Sequence, residues 1–479
     1  MELIKGNLSG DGLNKDGLSP GNYLIIMENL KNFIPPEKQE EIRDQIVGDI
    51  FREAEKIARK SIISTGIENK LEKRIDDILT SRWLGFPIML LLLGFIFWIT
   101  IVGANVPSEM LATALFWLEE KISILFYRLG TPDWLHGILV HGIYRTMAWV
   151  ISVMFPPMAI FFPLFTLLED LGYLPRVAFN LDNLFKRAGT HGKQALTMSM
   201  GFGCNAAGVI SARIIDSPRE KLIAIITNNF VPCNGRFPLL IILASIFIKS
   251  SLSTTYNSLL AATVVVAFVL IGIIITLLVS WGLSRTILRG IPSTFTLELP
   301  PYRKPQIGRI LVRSFLDRTL FVLGRAVMVA APAGAVIWLL ANTTINGSSL
   351  IQLVAAFLEP FARLIGLDGF ILLAFILALP ANEIVIPILL MGYLSSRIMM
   401  EPESLETLHN ILINNGWTWL TAIATMLFSL LHFPCGTTLL TIRKETGSFK
   451  WAFFTFFLTT AIAVLVNLIL VQFINFFIL

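Results

Sequence analysis

Charge is scarce in this sequence. Only 15% of its 479 residues are charged, 54% are apolar, and the mean hydropathy is +0.71, whereas a soluble protein has about 25% charged residues. This composition excludes a soluble enzyme, a disordered chain and a fibrous repeat. The charge is also uneven, because residues 1–82 hold 28 of the 71 charged residues. A polar head of about 80 residues therefore precedes an integral membrane body.

Several functional signatures are missing as well. There are only three cysteines, Cys204, Cys233 and Cys435, too few for a disulfide framework. The sequence contains neither an HExxH motif nor the phosphate-binding GxxxxGK[ST] motif, and we therefore expect a chain that is not an enzyme. The net charge of +5 comes from the membrane body, where basic residues flank the spans, so no nucleic-acid partner is predicted. No apolar leader opens the chain, and we expect the N-terminus to be cytoplasmic.

Long uncharged stretches are abundant. Those able to cross about 30 Å of hydrocarbon predict seven crossings, at 83–103, 146–168, 221–248, 250–284, 326–358 (only part of it in the membrane), 416–442 and 451–479. Two more apolar segments, 194–212 and 369–396, are interrupted by glycine and small residues or by Pro, Asn and Glu. Irregular backbone within a membrane is tolerated only where it lines a cavity. Both segments are therefore predicted to be broken or re-entrant helices.

Loop charge predicts how the spans are oriented. Basic loops belong on the cytoplasmic side, which places 285–313 and 443–450 inside, and the uncharged loop 341–349 outside. The second half of the body then repeats the first upside down. Two short echoes accompany this symmetry: Phe230-Val-Pro-Cys233 with His432-Phe-Pro-Cys435, and Cys204-Asn205 with Asn382-Glu383. Inverted repeats with discontinuous helices are typical of secondary transporters.

The predicted fold is an all-α polytopic membrane protein with two inverted repeats, each containing a broken or re-entrant hairpin. Its parts are a cytoplasmic helical head at 1–80, a first membrane helix and first repeat at 81–290, a basic loop at 291–318 and a second repeat at 319–479. We expect it in the inner membrane of the cell, with the lipid bilayer as its first partner.

The helix breaks expose the residues most able to carry chemistry. The predicted metal ligands are Cys204, Asn205, Cys233, Asn234, Glu383 and Cys435, with Arg236, Asn382 and His432 as accessory residues. Soft sulfur beside carboxamide and carboxylate oxygen suits a borderline transition metal, whereas Ca²⁺ or Mg²⁺ prefers mostly oxygen. Other interpretations stay open: inert buried cysteines, a structural Glu383–Arg236 ion pair, and a histidine that only bonds neighbouring helices.

Several strings resemble one family, the ferrous iron transport protein B (FeoB) family, over residues 70–479. They are Glu169-Asp-Leu-Gly-Tyr-Leu-Pro-Arg176, Gly201-Phe-Gly-Cys-Asn205, Ser217-Pro-Arg-Glu-Lys-Leu222, Glu298-Leu-Pro-Pro-Tyr302 and Ile442-Arg-Lys-Glu-Thr-Gly-Ser-Phe-Lys-Trp451. In that family the two repeats are called Gate regions. The chain resembles the membrane portion of the family without its N-terminal GTP-binding domain.

The resemblance implies uptake of Fe²⁺ as transported substrate, with no permanently bound cofactor. It matches the three cysteines to the family's intramembrane cysteines and Glu383 to a glutamate of the second Gate, and it adds Glu169 and Asp170 as accessory residues. The first Gate reads Cys204-Asn205-Ala-Ala where the family usually has Cys-Asn-Val-Pro, so Mn²⁺ stays an alternative. An organic solute such as a nucleoside is a further alternative. Implied partners are a separate small G protein and a second copy of the chain.

Overall fold

The computed structural model describes residues 49–50, 52–54, 56–57, 70–81, 83–190, 192–247, 254–289, 305–345, 347–400 and 404–478. The chain divides into two compact units, 1–69 with 294–296, and 70–293 with 297–479. In the first unit the described residues are helical, and Ile50 and Ile57 are exposed. The other isoleucines of the predicted head helix, Ile42 and Ile46, lie outside the described residues.

Within its described residues, the first half of the membrane body contains ten helices and several short irregular turns. The helices are α1 (Lys70–Leu79), α2 (Gly85–Arg128), α3 (Asp133–His136), α4 (Arg145–Asp170), α5 (Tyr173–Arg187), α6 (Lys193–Gly203), α7 (Asn205–Ser211), α8 (Pro218–Thr227), α9 (Phe237–Phe247) and α10 (Thr254–Arg285). A π-helix (Gly137–Tyr144) joins α3 to α4, and 3₁₀ turns follow α7 (Ala212–Ile214) and α8 (Asn228–Phe230).

The second half repeats this order of elements. Its helices are α11 (Ile307–Arg313), α12 (Phe321–Asn342), α13 (Leu350–Leu364), α14 (Gly369–Leu377), α15 (Val385–Tyr393), α16 (Leu405–Asn414), α17 (Trp419–Leu431), α18 (Gly436–Thr446) and α19 (Phe449–Ile478). A π-helix (Ser314–Leu320) precedes α12, as one precedes α4, and a 3₁₀ turn (Asn382–Ile384) opens α15. The strands β1 (Thr344–Ile345) and β2 (Ser348–Ser349) form a small antiparallel hairpin.

The chain is an all-α polytopic membrane protein. Within the described residues, six helical stretches are long and apolar enough to cross a membrane, or up to seven if α13 and α14, bent by 108°, count as one span. The six are Gly85–Arg128, Asp133–Asp170, Leu260–Arg285, Ile310–Asn342, Trp419–Thr446 and Phe449–Phe476. Each of these stretches contains at least 18 mainly apolar residues, which is about the length that crosses the hydrocarbon core.

Two stretches predicted as single spans are not continuous helices. The segment 221–248 is interrupted after α8 and resumes as α9, because Pro232 and Gly235 do not sustain a helix there. The segment 416–442 is interrupted after α17 at Leu431 and resumes as α18 at Gly436. Proline and glycine account for both breaks, Pro232 and Gly235 in the first segment and Pro434 and Gly436 in the second.

Helix starts in the two halves use matching caps. Ser217 accepts a hydrogen bond from the amide of Glu220 at the start of α8, and Thr418 accepts one from Thr421 at the start of α17. Both helices then run to a break at a cysteine. α18, which follows the break at Cys435, packs beside α7. Near the C-terminal ends of these two helices, Nε of Arg213 donates to the carboxylate of Glu445 at 2.7 Å. The two halves are thus joined around their breaks.

Candidate functional site

The first helix break is built by glycine and an extended cysteine. α6 ends at Gly203, Cys204 takes φ −156° and ψ 126°, and α7 begins at Asn205. A Cβ added to Gly203 would lie 2.2 Å from the ring of Phe161 on α4, so the close approach of α4 requires glycine. Cys204 and Asn205 are buried, at 7% and 3% exposure. The break therefore presents a thiol and an amide to the protein interior.

The second break has the same backbone. Ala381 takes φ −154° and ψ 124°, and a helical turn begins at Asn382. Because Cys204 occupies this conformation in the first half, Asn205 corresponds to Asn382. The sequence alignment of Cys204-Asn205 with Asn382-Glu383 is thus displaced by one residue, and Glu383 corresponds to Ala206 of the first half.

Two interrupted helices lie beside these hairpins. One is α8 with α9, and the other is α17 with α18. The backbone amide of Asn234 donates to the carbonyl of Gly203 at 3.3 Å, and that of Gly436 donates to Leu379 at 2.7 Å. Each interrupted helix is therefore bonded to the hairpin of its own half, directly after its cysteine.

All four breaks meet at one narrow cavity. Its volume is about 20 Å³, which accommodates about one water-sized body. The lining consists of Met154, Met158, Gly203, Cys204, Asn205, Cys233, Asn234, Gly235, Pro380, Ala381, Asn382, Glu383, Cys435 and Thr437. The six residues predicted as metal ligands, together with Asn382, are therefore neighbours in the folded chain.

Four of the five predicted accessory residues, namely Glu169, Asp170, Arg236 and His432, lie outside the cavity lining. Glu169 and Asp170 are exposed at the C-terminal end of α4, and neither they nor His432 line the cavity. Their sequence string is near the hairpin along the chain, but α4 is long enough to carry its last residues away from the breaks.

The imidazole of His432 is turned into an aromatic cluster. Its Nδ1 lies 2.9 Å from the carbonyl oxygen of Ser429 and 3.1 Å from that of Phe428, so Nδ1 carries the proton and donates it. The ring also packs against Phe375 and Phe433, with both pairs of centroids 4.9 Å apart. Both hydrogen bonds are made to carbonyls of its own helix, α17, and only ring contacts such as that with Phe375 reach a neighbouring helix.

Arg236 is fully buried and is bound to backbone carbonyls. Its Nη1 donates to Asn229 and Leu430, both at 2.8 Å, and its Nη2 donates to His432 and Phe433 at 3.2 and 3.5 Å. These carbonyls belong to the interrupted helices of both halves, where no further helical turn supplies donors. One guanidinium therefore joins the two breaks.

Glu383 is not the partner of Arg236. Both side chains are in the described part of the chain, and no ion pair or electrostatic contact joins them. The Glu383 carboxylate instead packs on the bare backbone of Gly235, where an added Cβ would lie 2.2 Å from Oε1. The structure thus shows no Glu383–Arg236 ion pair among the described residues, and Glu383 lines the cavity.

Sequence reasoning missed three lining residues whose side chains carry a sulfur or oxygen atom. Met154 and Met158 are four residues apart, which places both on one face of α4, and this spacing inside a Pro-rich apolar helix was the available signal. Thr437 follows Cys435 by two residues and belongs to no sequence pattern. The cavity therefore contains thioether and hydroxyl groups besides thiol, amide and carboxylate.

The lining does not form a ready-made chelate. Among the residues that the structure describes, no three His, Cys, Asp or Glu side chains are grouped closely enough to hold a metal ion. The three cysteines belong to three separate helix breaks, so the position of each depends on a different backbone segment. A cation at this level would be met by a few side chains at a time.

Two family models match the chain. One, Gate, described as "Nucleoside recognition", matches residues 151–247 and 323–449. The other, FeoB_C, described as "Ferrous iron transport protein B C terminus", matches residues 265–317. The two Gate segments contain all four helix breaks and therefore the whole cavity lining.

Curated relatives agree with these matches. The chain is 30% identical to the "Fe(2+) transporter FeoB" of Staphylococcus aureus (strain COL), over 86% of this chain and 63% of the relative. It is 25% identical to the "Fe(2+) transporter FeoB" of Methanocaldococcus jannaschii, over 85% of this chain and 60% of the relative. This chain thus spans less than two thirds of either relative. No solved structure is significantly similar to it.

Proposed function

Because this chain belongs to the ferrous iron transport protein B (FeoB) family, as part of its membrane portion, we propose that it carries Fe²⁺ across the cell membrane. The observation that carries the proposal is the cavity at which four helix breaks meet. It brings Cys204, Cys233 and Cys435 together with Glu383. An acidic residue within a membrane body is costly and is functional by default.

The donor set supports a borderline transition metal. Thiols and thioethers are soft ligands, and the amides and carboxylate are hard ones, a mixture suited to Fe²⁺ rather than to Ca²⁺ or Mg²⁺. Mn²⁺, which prefers oxygen, is the alternative cation to be tested.

The size of the cavity argues against an organic solute. Pockets for small organic ligands measure about 300–1,000 Å³, whereas this cavity measures about 20 Å³. A nucleoside would require the breaks to separate by several ångströms. A bare or partly hydrated ion would not.

The negative charge of Glu383 would lower the energetic cost of moving a divalent cation through the membrane. Taking a divalent cation into a low-dielectric region is expensive, and an anion at the same level lowers that barrier. Glu383 is positioned for this role because its carboxylate lines the cavity. Arg236 forms no ion pair with this carboxylate among the described residues, and both of its Nη atoms donate to backbone carbonyls.

Passage would then use transient coordination. A thiol must lose its proton before it binds a cation, and a closed cysteine cage would hold the ion too tightly, since structural sites reach about 10–16 kcal/mol. We propose that sulfur from one or two cysteines, assisted by Asn205 and Asn234, coordinates the ion in turn. Metal binding in this scheme is part of transport and leaves no resident cofactor.

Uptake into proteoliposomes tests the proposal. The purified chain should accumulate Fe²⁺ kept reduced, with weaker uptake of Mn²⁺ and Zn²⁺ and none of a labelled nucleoside. Glu383→Gln should lower Fe²⁺ uptake on the order of tenfold while leaving the melting temperature unchanged, because the carboxylate has no basic partner to lose. Nucleoside uptake without metal uptake, or unaltered Fe²⁺ uptake by Glu383→Gln, would contradict it.

A second prediction uses the glycine beneath the carboxylate. In Gly235→Ala the new methyl group would occupy the place of Oε1 of Glu383, so the carboxylate must move away. We expect Fe²⁺ uptake to fall about tenfold, with the chain still inserted in the membrane. Gly282→Ala on α10 is the matched control, since nothing lies within 4 Å of its added Cβ. Equal uptake by the two variants would mean that the carboxylate position does not matter.

The orientation and the partners are part of the same proposal. The basic loops support a cytoplasmic N-terminus and an inner-membrane location. A small G protein acting on the cytoplasmic face, and association with a second copy of the chain, complete the proposal as it follows from the family.

A further inference from the structure

Thr437 is unusual among the threonines of α18. The hydroxyl groups of the other three are bonded: Thr438 to Sγ of Cys435 at 3.2 Å, Thr441 to the carbonyl of Thr437 at 2.8 Å, and Thr446 to the carbonyl of Ile442 at 2.7 Å. The Oγ1 of Thr437 has no hydrogen-bond partner among the described residues, although the residue is only 2% exposed. Buried hydroxyl groups without partners are rare in native proteins, and each requires an explanation.

The position of Thr437 supplies that explanation. It lies in the first turn of α18, where the usual bond to a carbonyl four residues back is lost because the chain is broken at Cys435. Thr437 also lines the central cavity. Thr437 is thus a residue of the cavity lining whose hydroxyl is not used by the helix.

The two halves supply different donors to this cavity. The first half contributes the sulfur atoms of Met154, Met158, Cys204 and Cys233, together with two amides. The second half contributes one thiol and three oxygen-bearing side chains, those of Asn382, Glu383 and Thr437. An ion in so small a cavity contacts donors from both halves of the chain at once.

We infer that the hydroxyl oxygen of Thr437 is a ligand for the divalent cation in this cavity and tunes its selectivity toward ions that accept oxygen. The inference rests on the proposed transport function. A neutral hydroxyl can bind without losing a proton, and it adds a hard donor to a sulfur-rich site. It therefore favours Fe²⁺ and Mn²⁺ relative to ions that bind well to sulfur alone.

Two substitutions separate this role from packing. Thr437→Val keeps the shape and removes the oxygen, whereas Thr437→Ser keeps the oxygen and removes a methyl group. We expect Thr437→Val to lower uptake of Fe²⁺ and Mn²⁺ about tenfold relative to Zn²⁺, and Thr437→Ser to retain most of the selectivity. Thr425→Val on α17 is the matched control, because that hydroxyl is buried but bonded to the carbonyl of Thr421 at 2.7 Å.

A binding measurement keeps the inference apart from transport. Co²⁺ is added to the purified chain and to each variant, and its visible absorption reports the ligands around the ion. The band should change in Thr437→Val and not in Thr425→Val. That result would support the hydroxyl ligand even if no metal accumulated in vesicles, in which case the transport proposal alone would fail.

The inference is overturned by any of three results. One is an unchanged Co²⁺ spectrum and unchanged metal selectivity in Thr437→Val. Another is a Thr437→Ser variant as impaired as Thr437→Val, which would assign the effect to the methyl group. The third is a chain that binds no Co²⁺, which would remove the ligand role altogether.

Discussion

Serine in place of Cys233 or Cys435 should reduce Fe²⁺ uptake on the order of a hundredfold, while the chain stays folded and inserted. Serine has nearly the shape of cysteine, but its hydroxyl does not ionise to a soft anion under these conditions. Cys435 also has a local role that serine preserves, because its contact with the Thr438 hydroxyl can be made by a hydroxyl group. The loss should therefore appear in transport rather than in stability.

Uptake rates in proteoliposomes, normalised to reconstituted protein, measure this effect. Met426→Leu on α17 is the matched control: it removes a buried sulfur outside the cavity and conserves volume, so uptake should be unchanged. The uptake rate of Cys204→Ser should lie between that of the Cys233 and Cys435 variants and that of the control, because the sulfur of Cys204 packs in an apolar cluster with Met158 and Met200. Full uptake by the variant with all three cysteines replaced would remove sulfur from the mechanism.

Arg236→Gln should cost more stability than other single polar substitutions considered for this chain. Its guanidinium donates to four carbonyls of two interrupted helices. Removing these donors leaves buried carbonyls unsatisfied, which costs about 1–3 kcal/mol for each group. We expect a much lower melting temperature in detergent and little correctly inserted protein. Arg236→Lys should be intermediate, because an ammonium has fewer donors and no planar fork.

A second buried-or-exposed comparison within this chain provides the control for Arg236→Gln. Arg363→Gln removes an exposed arginine that pairs only with Glu359, four residues back on α13, and should change stability little. Because Arg236 and Glu383 are not paired, adding Glu383→Gln to Arg236→Gln should not restore stability or uptake. Rescue by that double substitution would show that the two charges compensate each other after all.

Much of the fold is readable from local sequence. Apolar runs of about 20 residues have one stable outcome in a bilayer, a helix, and this determines α2, α4, α10, α17 with α18, and α19. Breaks are likewise local, because Gly, Pro and Asn near Cys204 and in the hairpin at Asn382 weaken a helix wherever they occur. The sequence predicts two of the four breaks, at 194–212 and 369–396, whereas 221–248 and 416–442 were predicted as unbroken spans although each contains a Pro-Cys pair.

Partner choice was not readable in the same way. Arg236 bonds to Leu430, 194 residues further along the chain, and nothing near either residue distinguishes that carbonyl from the carboxylate of Glu383. The partners of a buried guanidinium depend on distances between segments that are remote in sequence. These distances are decided when α8, α9, α17 and α18 pack together.

The sequence by itself determined the helices, their breaks and the kinds of donor atom that the breaks carry, because each depends on residues within a turn or two. Only the tertiary structure decided which donors face one cavity. Packing turned His432 into an aromatic cluster and brought Thr437, Met154 and Met158 to the lining. A side chain's direction depends on how its helix is rotated against its neighbours, and that rotation is determined by the shapes of all the packed helices together.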